Sequence, residues 1–577
     1  MSHNLESRPY TTWQLIKAYW QSEYKLSAYV FIATVLLMSM FIVGLDVILT
    51  DWYNYFYDAL QDYDRVGALD LLGIFLFIAG VYIVVAVYRY YLQQILALRW
   101  RNWLTKQFLD RWLAKRSYYY LEDFDEQTDN PDQRIQEDIN SLVNASLSLA
   151  IGLVSSIVTF FAFIYVLWTL SGTINLPLGH FGTLHIRGYL VWVAVIYALV
   201  GTYCTFKIGR PLVPLNFEQQ RREANFRFSA IDVRSHAENI ALYRGEGHQK
   251  NLLRSIFSSV LNNWYAIILR QKLLLWFTAG YNQISVILPL IVALPNYFNK
   301  VFKLGGLMQT LSAFRQIQDA LSFIVNSYTS IAEWQAVNRR LLSFLNHIQE
   351  VEHNAEEKNQ FSYVTHDSAD IVVKQLTVCN PHGDRLLADI NEEFKHGHHY
   401  WVKGPSGIGK STFVRVLAGI WPYGKGEIDL PKDKNILYLP QRSYMPLGTL
   451  RDALLFPHRI QPVNDNVLIE LLHACDLHEL TQKLNYVTAW SEHLSPGELQ
   501  RIAFVRVLIH RPDWLFLDES TSALDIEHEI SLYKLLKTRL PHCSIVSIGH
   551  RPSLKDYHDQ EIDLEKYKVL REEYSAE

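Results

Sequence analysis

Cysteine is scarce: Cys204, Cys379, Cys475 and Cys543 are the only four in 577 residues, and none forms a CxxC pair. That argues against a disulfide framework or a thiolate zinc cluster and fits reduced thiols. Charge of one sign is lacking as well. The 54 Lys and Arg nearly balance 58 Asp and Glu, leaving a net charge of −4. No basic field therefore points to nucleic acid. The chain opens without a long apolar run and stays polar as far as Lys25. A cleavable leader is not expected, so targeting falls to internal segments.

Uncharged apolar sequence is what the chain has in quantity. A hydrocarbon core takes about 20 apolar residues to cross. Leu26–Leu45, Leu71–Tyr88, Ser141–Gly179, Gly188–Phe206 and Leu273–Asn299 each supply a span with little or no charge. They are apolar all round, whereas buried helices of a water-soluble protein usually keep a polar face. A sixth segment, Leu304–Glu333, carries Arg315 and Asp319 near its middle. Ionisable groups at membrane depth face a partner or a water-filled cavity. Four residues apart, these two suit either a structural ion pair or a pathway-lining helix. The long connections Arg89–Asn140 and Lys207–Lys272 are rich in Lys and Arg, and the alternate ones are short with few. Positive charge stays inside, which places both termini in the cytoplasm. The run through Glu218–Arg234 reads as helix. A polar, acidic stretch at 347–370 reads as a linker between a six-helix unit over 1–346 and a second unit over 371–577.

The second unit carries phosphate chemistry. The strand-like segment His398–Val402 leads into Gly404, Pro405, Ser406, Gly407, Ile408, Gly409, Lys410, Ser411 and Thr412, then a helical run. This fits GxxxxGK[ST] in its strand–loop–helix setting. The loop turns N–H groups toward phosphates and the helix N-terminus adds partial positive charge. Lys410 would reach the β and γ phosphates, and the Ser411 hydroxyl suits Mg²⁺. Further on, the apolar run from Trp514 ends in Asp518, suited to a Mg²⁺ contact, and Glu519, suited to polarise the attacking water as general base. His550 closes another apolar strand, where it could contact the γ-phosphate. Ser495 reads as an N-cap, Pro496 as the first helical residue, and the bare helix start with Gly497 as a second phosphate-binding surface. That surface makes sense if it meets nucleotide held by another copy. The cluster His396, His398 and His399 reads as a loop and strand edge.

Taken together, Gly404–Ser411, Gln441, LSPGE at Leu494–Glu498, LFLDE ending at Glu519, Ser522–Asp525 and His550 resemble the complete motif set of an ABC ATPase. The resemblance implies an α/β P-loop nucleotide-binding domain behind an all-α membrane domain of the ABC exporter type. It implies ATP and Mg²⁺ as cofactors, with Gln441 joining Ser411 and Asp518 at the metal. Ser495, Gly497 and Glu498 would contact ATP on the opposite subunit, and Asp525 would lie at the dimer contact. The aromatic residue that many relatives place before the phosphate loop is replaced here by Cys379, Asn380 and Pro381. Tyr438–Pro457 resembles subfamily D, the peroxisomal fatty-acyl-CoA transporters. Leu98–Thr105, Asp129–Ile139 and Arg222–Arg227 resemble the SbmA/BacA-like group, which is associated with uptake of peptides and cobalamin. On that likeness the chain would be a homodimeric half-transporter of a bacterial inner membrane, its ATPase domain cytoplasmic, importing peptides or cobalamin-like solutes; the alternatives are transport or export of acyl-CoA or lipid-like substrates, or an ATP-gated channel or sensor. Its partners would be a second copy, the lipid bilayer and a small-molecule or peptide substrate, with no nucleic acid. Asp129–Asp138 and Glu238–Glu246 would press on the ATPase domains.

Overall fold

Residues 9–124, 130–171, 173–177, 183–457, 463–549 and 551–569 are described by the computed structural model. The chain divides into two compact units, Met1–Trp112 with Thr128–His347, and Leu113–Gln127 with Ile348–Glu577.

The first unit is almost entirely helical. Its helices are α1 (Thr12–Trp20), α2 (Lys25–Gln61), α3 (Arg65–Leu113) and α4 (Ile139–Ser171), followed by a hairpin of β1 (Thr173–Pro177) and β2 (Thr183–Arg187). Then come α5 (Tyr189–Gly209), α6 (Leu212–Ser235), α7 (Ala237–Leu242), α8 (Glu246–Phe298), α9 (Leu304–Leu321) and α10 (Tyr328–Lys358). Among the described residues, five helices are long and apolar enough to cross a membrane, and each takes up one of the five uncharged segments, although Ser141–Gly179 is helical only to Ser171 and then enters β1. Their outward side chains include Leu76, Phe77 and Trp276, large apolar groups that lipid would cover. At 49 and 53 residues, α3 and α8 are about 75–80 Å long, more than twice the roughly 30 Å hydrocarbon thickness. They therefore continue well outside a bilayer.

The sixth expected span departs from a single run to Glu333. Helix α9 stops at Leu321, a four-residue helical turn follows at Phe323–Asn326, and α10 resumes at Tyr328. The helix is not among the five, and Arg315 and Asp319 within it lower its apolarity. What holds the N-terminal part of α9 against α2 is polar. The buried Gln309 accepts from Asn54 Nδ2 (2.8 Å) and donates to Asp51 Oδ1 (2.7 Å). Higher up, the Gly305 and Leu304 amides donate to Asp58 Oδ1 and Gln61 Oε1, each at 2.7 Å, and Lys303 pairs with Asp62. The approach is close enough that a Cβ on Gly305 would lie 1.9 Å from the Asn54 carbonyl oxygen. Below this ladder Phe163, Leu167, Leu190, Ala194, Ala313, Phe314 and Ile317 close an apolar seam among α4, α5 and α9.

A second polar knot lies at the head of α4. Arg134–Asp138 forms a π-helical turn, and the buried Asp138 carboxylate accepts from Arg134 and from Arg340 of α10 (2.6 and 2.9 Å). Asp138 therefore serves the packing of its own unit. Asp129 lies outside the described residues.

The second unit is layered. Its strands and helices begin with β3 (Asn359–His366), β4 (Ile371–Cys379), β5 (Arg385–Phe394), β6 (Tyr400–Lys403), α11 (Lys410–Leu417), β7 (Gly424–Pro431) and β8 (Ile436–Leu439). They continue with α12 (Asp465–Ala474), α13 (Pro496–His510), β9 (Trp514–Asp518), α14 (Ile526–Arg539), β10 (Ser544–Ile548) and β11 (Gln560–Asp563). Five parallel strands lie in the order β11-β6-β10-β9-β8, and a second sheet runs β3-β7-β4-β5. Strands β9 and β10 are buried nearly throughout, as their continuous apolar runs require of parallel strands covered on both faces. One core, with Phe413, Leu417, Trp514 and Phe516, fills the space between the sheets around α11; another, with Leu472, Phe504 and Leu536, lies under α12–α14.

The stretch 347–370 is not the plain linker its polarity suggests. It is helical to Lys358 and then forms β3, which pairs in parallel with β7. Ile348 and Phe361 are its buried anchors, too widely spaced to show a period. The Leu113–Gln127 excursion belongs to this unit. Ser117 Oγ donates to Glu352 (2.5 Å), Lys115 pairs with Glu356 (3.1 Å), and Arg116 donates to the Gly419 carbonyl just after α11.

Candidate functional site

Strand β6 ends at Lys403, and the chain must reverse before α11 begins at Lys410. Pro405, Ser406 and Gly407 are exposed, while Ile408 is buried and pins the loop to the core. Gly407 (φ +79°) and Gly409 (φ +106°) take left-handed conformations, and a Cβ at Gly407 would meet nothing within 4 Å. The second of these caps α11, so the free N–H groups of the first turn, including those of Ser411 and Thr412, point out of the helix start. Lys410 folds back under the loop, Nζ donating to the carbonyls of Gly404 (2.8 Å) and Pro405 (3.1 Å). Burial holds its ammonium below the usual lysine range, against the pull of Glu519 and Asp518.

Those carboxylates arrive from β9. Asp518 Oδ1 accepts from Ser411 Oγ at 3.0 Å, and burial pushes the acid above its ordinary range. Glu519 follows at φ +49°, a left-handed conformation unusual for a side-chain-bearing residue. Its amide donates to the Ile548 carbonyl of β10 (3.0 Å), and the next residue, Ser520, donates to the Leu439 carbonyl of β8 (2.9 Å). Two neighbouring strands thus fix the turn. Gln441, just past β8, donates from Nε2 to Glu519 Oε2 at 3.1 Å. Four sequence-predicted residues, Ser411, Gln441, Asp518 and Glu519, therefore meet at the strand ends. The hydroxyl, carboxylate and carboxamide oxygens there are all hard donors, the set that suits Mg²⁺. His550 lies outside the described residues.

The LSPGE segment is capped as its sequence implies. Ser495 is the N-cap of α13, Pro496 its first residue, and Glu498 closes a capping box: its amide donates to Ser495 Oγ (3.3 Å) and its carboxylate accepts from the Ser495 amide (2.8 Å). Gly497 packs beneath the Ser522–Asp525 turn, where a Cβ would stand 3.4 Å from the Ala523 carbonyl. Asp525 in turn caps α14 by accepting from the His528 amide at 2.8 Å.

Two residues that sequence reasoning did not single out hold this corner together. The buried Gln500 accepts from the Ala523 amide (3.0 Å) and donates to Ser522 Oγ (3.3 Å) and toward the Gln441 carbonyl (3.5 Å). A signal existed: Gln500 falls on the apolar stripe Ala503, Phe504 and Val507 of α13, and a polar group on a buried stripe must find partners. Arg551 donates to the carbonyls of Leu524 (2.8 Å) and Ser522 (3.0 Å) and pairs with Glu529 (3.2 Å). Nothing in its sequence surroundings points to that role.

Arg315 and Asp319 sit in the other unit, on α9. Their closest approach is 4.0 Å, and their side chains are 84% and 66% exposed on the single chain.

Comparison with known proteins agrees with this arrangement. The model of ABC transporter transmembrane region 2 matches residues 15–298, and that of the ABC transporter matches residues 387–522. An ABC transporter ATP-binding protein of Haemophilus influenzae is 35% identical over 553 residues, spanning 96% of this chain and 92% of its own. The inner membrane ABC transporter ATP-binding protein YddA of Escherichia coli is 32% identical over 553 residues, spanning 95% and 96%. Human ATP-binding cassette sub-family D member 3 is 25% identical over 513 residues, spanning 80% and 74%. Among solved structures, a bacterial Atm1-family ABC exporter with ATP bound superposes with a TM-score of 0.68 at 16% identity, over 92% of this chain and 93% of that one. Phosphate loop, paired carboxylates and capped LSPGE helix behind a set of membrane helices thus have one reading: the chain belongs to the ABC transporters, as an integral membrane half-transporter whose ATPase domain drives transport with ATP and Mg²⁺.

Proposed function

We propose that two copies of this chain share two ATP sites, and that hydrolysis moves peptides or cobalamin-like hydrophilic or amphipathic solutes into the cell. The observation that carries the dimeric reading is Ser495. It is exposed, and among the described residues its side chain bonds only within its own turn. A helix start with free N–H groups suits a phosphate, and the phosphate loop at Gly404–Ser411 already serves its own copy. In this reading Ser495, Gly497 and Glu498 face ATP held by the partner, and Asp525 lies at the contact.

Within each site Gly404–Thr412 cradles the phosphate chain and Lys410 neutralises its outer charge. Mg²⁺ held by Ser411, Asp518 and Gln441 would offset charge on the β and γ phosphates. Glu519 takes the proton of the attacking water as its oxygen bonds the γ-phosphorus and ADP leaves; His550 orients that water. The Gln441–Glu519 bond supports a role for Gln441 in sensing the filled site. ATP shifts the dimer toward closure only by binding the closed state more tightly. Glu238–Glu246 would carry that motion to the membrane helices, with termini and ATPase domain cytoplasmic and Arg315 and Asp319 lining the path. A second reading, carriage of acyl-CoA-like amphiphiles, is favoured by the likeness to sub-family D.

The test is uptake of labelled cobalamin and of a proline-rich peptide into cells, with Glu519→Gln as control. Entry of either that disappears with Glu519→Gln is expected. Entry of neither, together with ATPase stimulation by acyl-CoA in purified protein, would replace the first reading with the second.

A further inference from the structure

The imidazole of His528 lies between two carboxylates. Its Nδ1 is 2.8 Å from both oxygens of Asp525, and its Nε2 is 3.0 Å from Asp476 Oδ2. A carboxylate oxygen can only accept, and a neutral imidazole offers one N–H and one lone pair. Only the protonated ring satisfies both neighbours. Asp476 is itself fixed, at φ +57° just past α12, by Arg501 of α13, whose Nη1 donates to its carbonyl (2.7 Å) and its carboxylate (3.0 Å). The result is a chain Arg501–Asp476–His528–Asp525. It ties the helix that begins at Ser495 to the turn that ends at Asp525.

We propose that His528 is a positioning residue for the ATPase reaction, and that its proton holds the two partner-facing elements, LSPGE and the Ser522–Asp525 turn, in one register. The inference rests on the dimeric reading above, in which both elements meet the second copy. The charged groups around the ring are Asp525 on its own helix, Asp476 and Arg501 from neighbouring elements, and His478, which is 3.1 Å from Asp476 Oδ1 and touches His473. Glu527 adds charge at the first turn of α14. Asp476 foremost, then Asp525, hold the ring above the ordinary histidine range. The sign follows: the clamp is complete at low pH and loses its second contact as pH rises through that raised value.

The experiment measures ATPase rate of the full-length protein in lipid nanodiscs between about pH 6 and pH 9. Wild type is compared with His528→Gln, which keeps a single donor nitrogen and cannot titrate, and with His528→Lys, which keeps a permanent charge. The ratio of wild-type to His528→Gln rate should fall about fivefold across that range, the upper end for one solvent-exposed ion pair. His528→Lys should hold its rate at the alkaline end. Equal pH profiles for wild type and both variants, with all three folded by size-exclusion chromatography, overturn the proposal. Glu519→Gln runs alongside: full turnover there sinks the hydrolytic reading itself, whereas loss there with unchanged profiles at His528 removes only this inference.

Discussion

Glu519 occupies a left-handed backbone position that most side-chain-bearing residues avoid, and hydrogen bonds from its amide and from the Ser520 hydroxyl to carbonyls of the two flanking strands keep it there. Such strain persists where surrounding structure over-determines it, and here the effect is to aim one carboxylate at the mouth of the phosphate loop. Glu519→Gln should keep nucleotide binding and lower turnover by about 100-fold or more, the usual worth of a positioned base; single-turnover hydrolysis beside an ATP-binding assay separates the two. Gln500→Ala tests the support beneath. It strands the Ala523 amide and should cost about 1–3 kcal/mol, seen as a lower melting temperature and a lower ATPase rate. Preserved activity would show that the Ser522–Asp525 turn holds without it. The contrast between these residues marks what a sequence makes legible. Lys410, Ser411, Asp518 and Glu519 stand out because the chemistry demands those types next to glycine turns and strand ends. Gln500 and Arg551 act on backbone carbonyls and amides far away in the chain, and such partners leave no local pattern.

At the scale of elements, apolar length announced five membrane helices well, because lipid imposes the same demand along the whole of each. The segment that length described least well is α9, whose N-terminal anchoring is polar and specific. Its N-terminal turn lies against α2 only because Gly305 has no Cβ, and Gln309 and the Gly305 amide meet side chains of α2 there. Gly305→Val should therefore separate the helices and destabilise the unit by about 1–3 kcal/mol or more, read as thermal unfolding in detergent. A melting temperature equal to wild type would mean the contact is not formed. The same logic explains why 347–370 looked like a linker: β3 gains its place from pairing with β7, a partner 65 residues away that no local period reveals.

The whole molecule raises a question that no single chain answers, namely whether each ATP site is built from two copies. Lys410 and Ser495 make it testable, because in the shared-site reading they serve different sites. A Lys410→Ala chain has a disabled phosphate loop and an intact LSPGE helix. A Ser495→Arg chain has the reverse. Alone, each forms dimers in which both sites are damaged, and each should be inactive. Mixed before assembly, half of the dimers pair the two variants, and in each of these one site receives the intact loop of one chain and the intact helix of the other. Turnover should then return to about a quarter of wild type, by random pairing of a two-fold assembly. If both parts of a site came from the same chain, every site in every dimer would keep one damaged part, and mixing would restore nothing. Recovery on mixing thus distinguishes a shared site from a self-contained one without any knowledge of the transported solute.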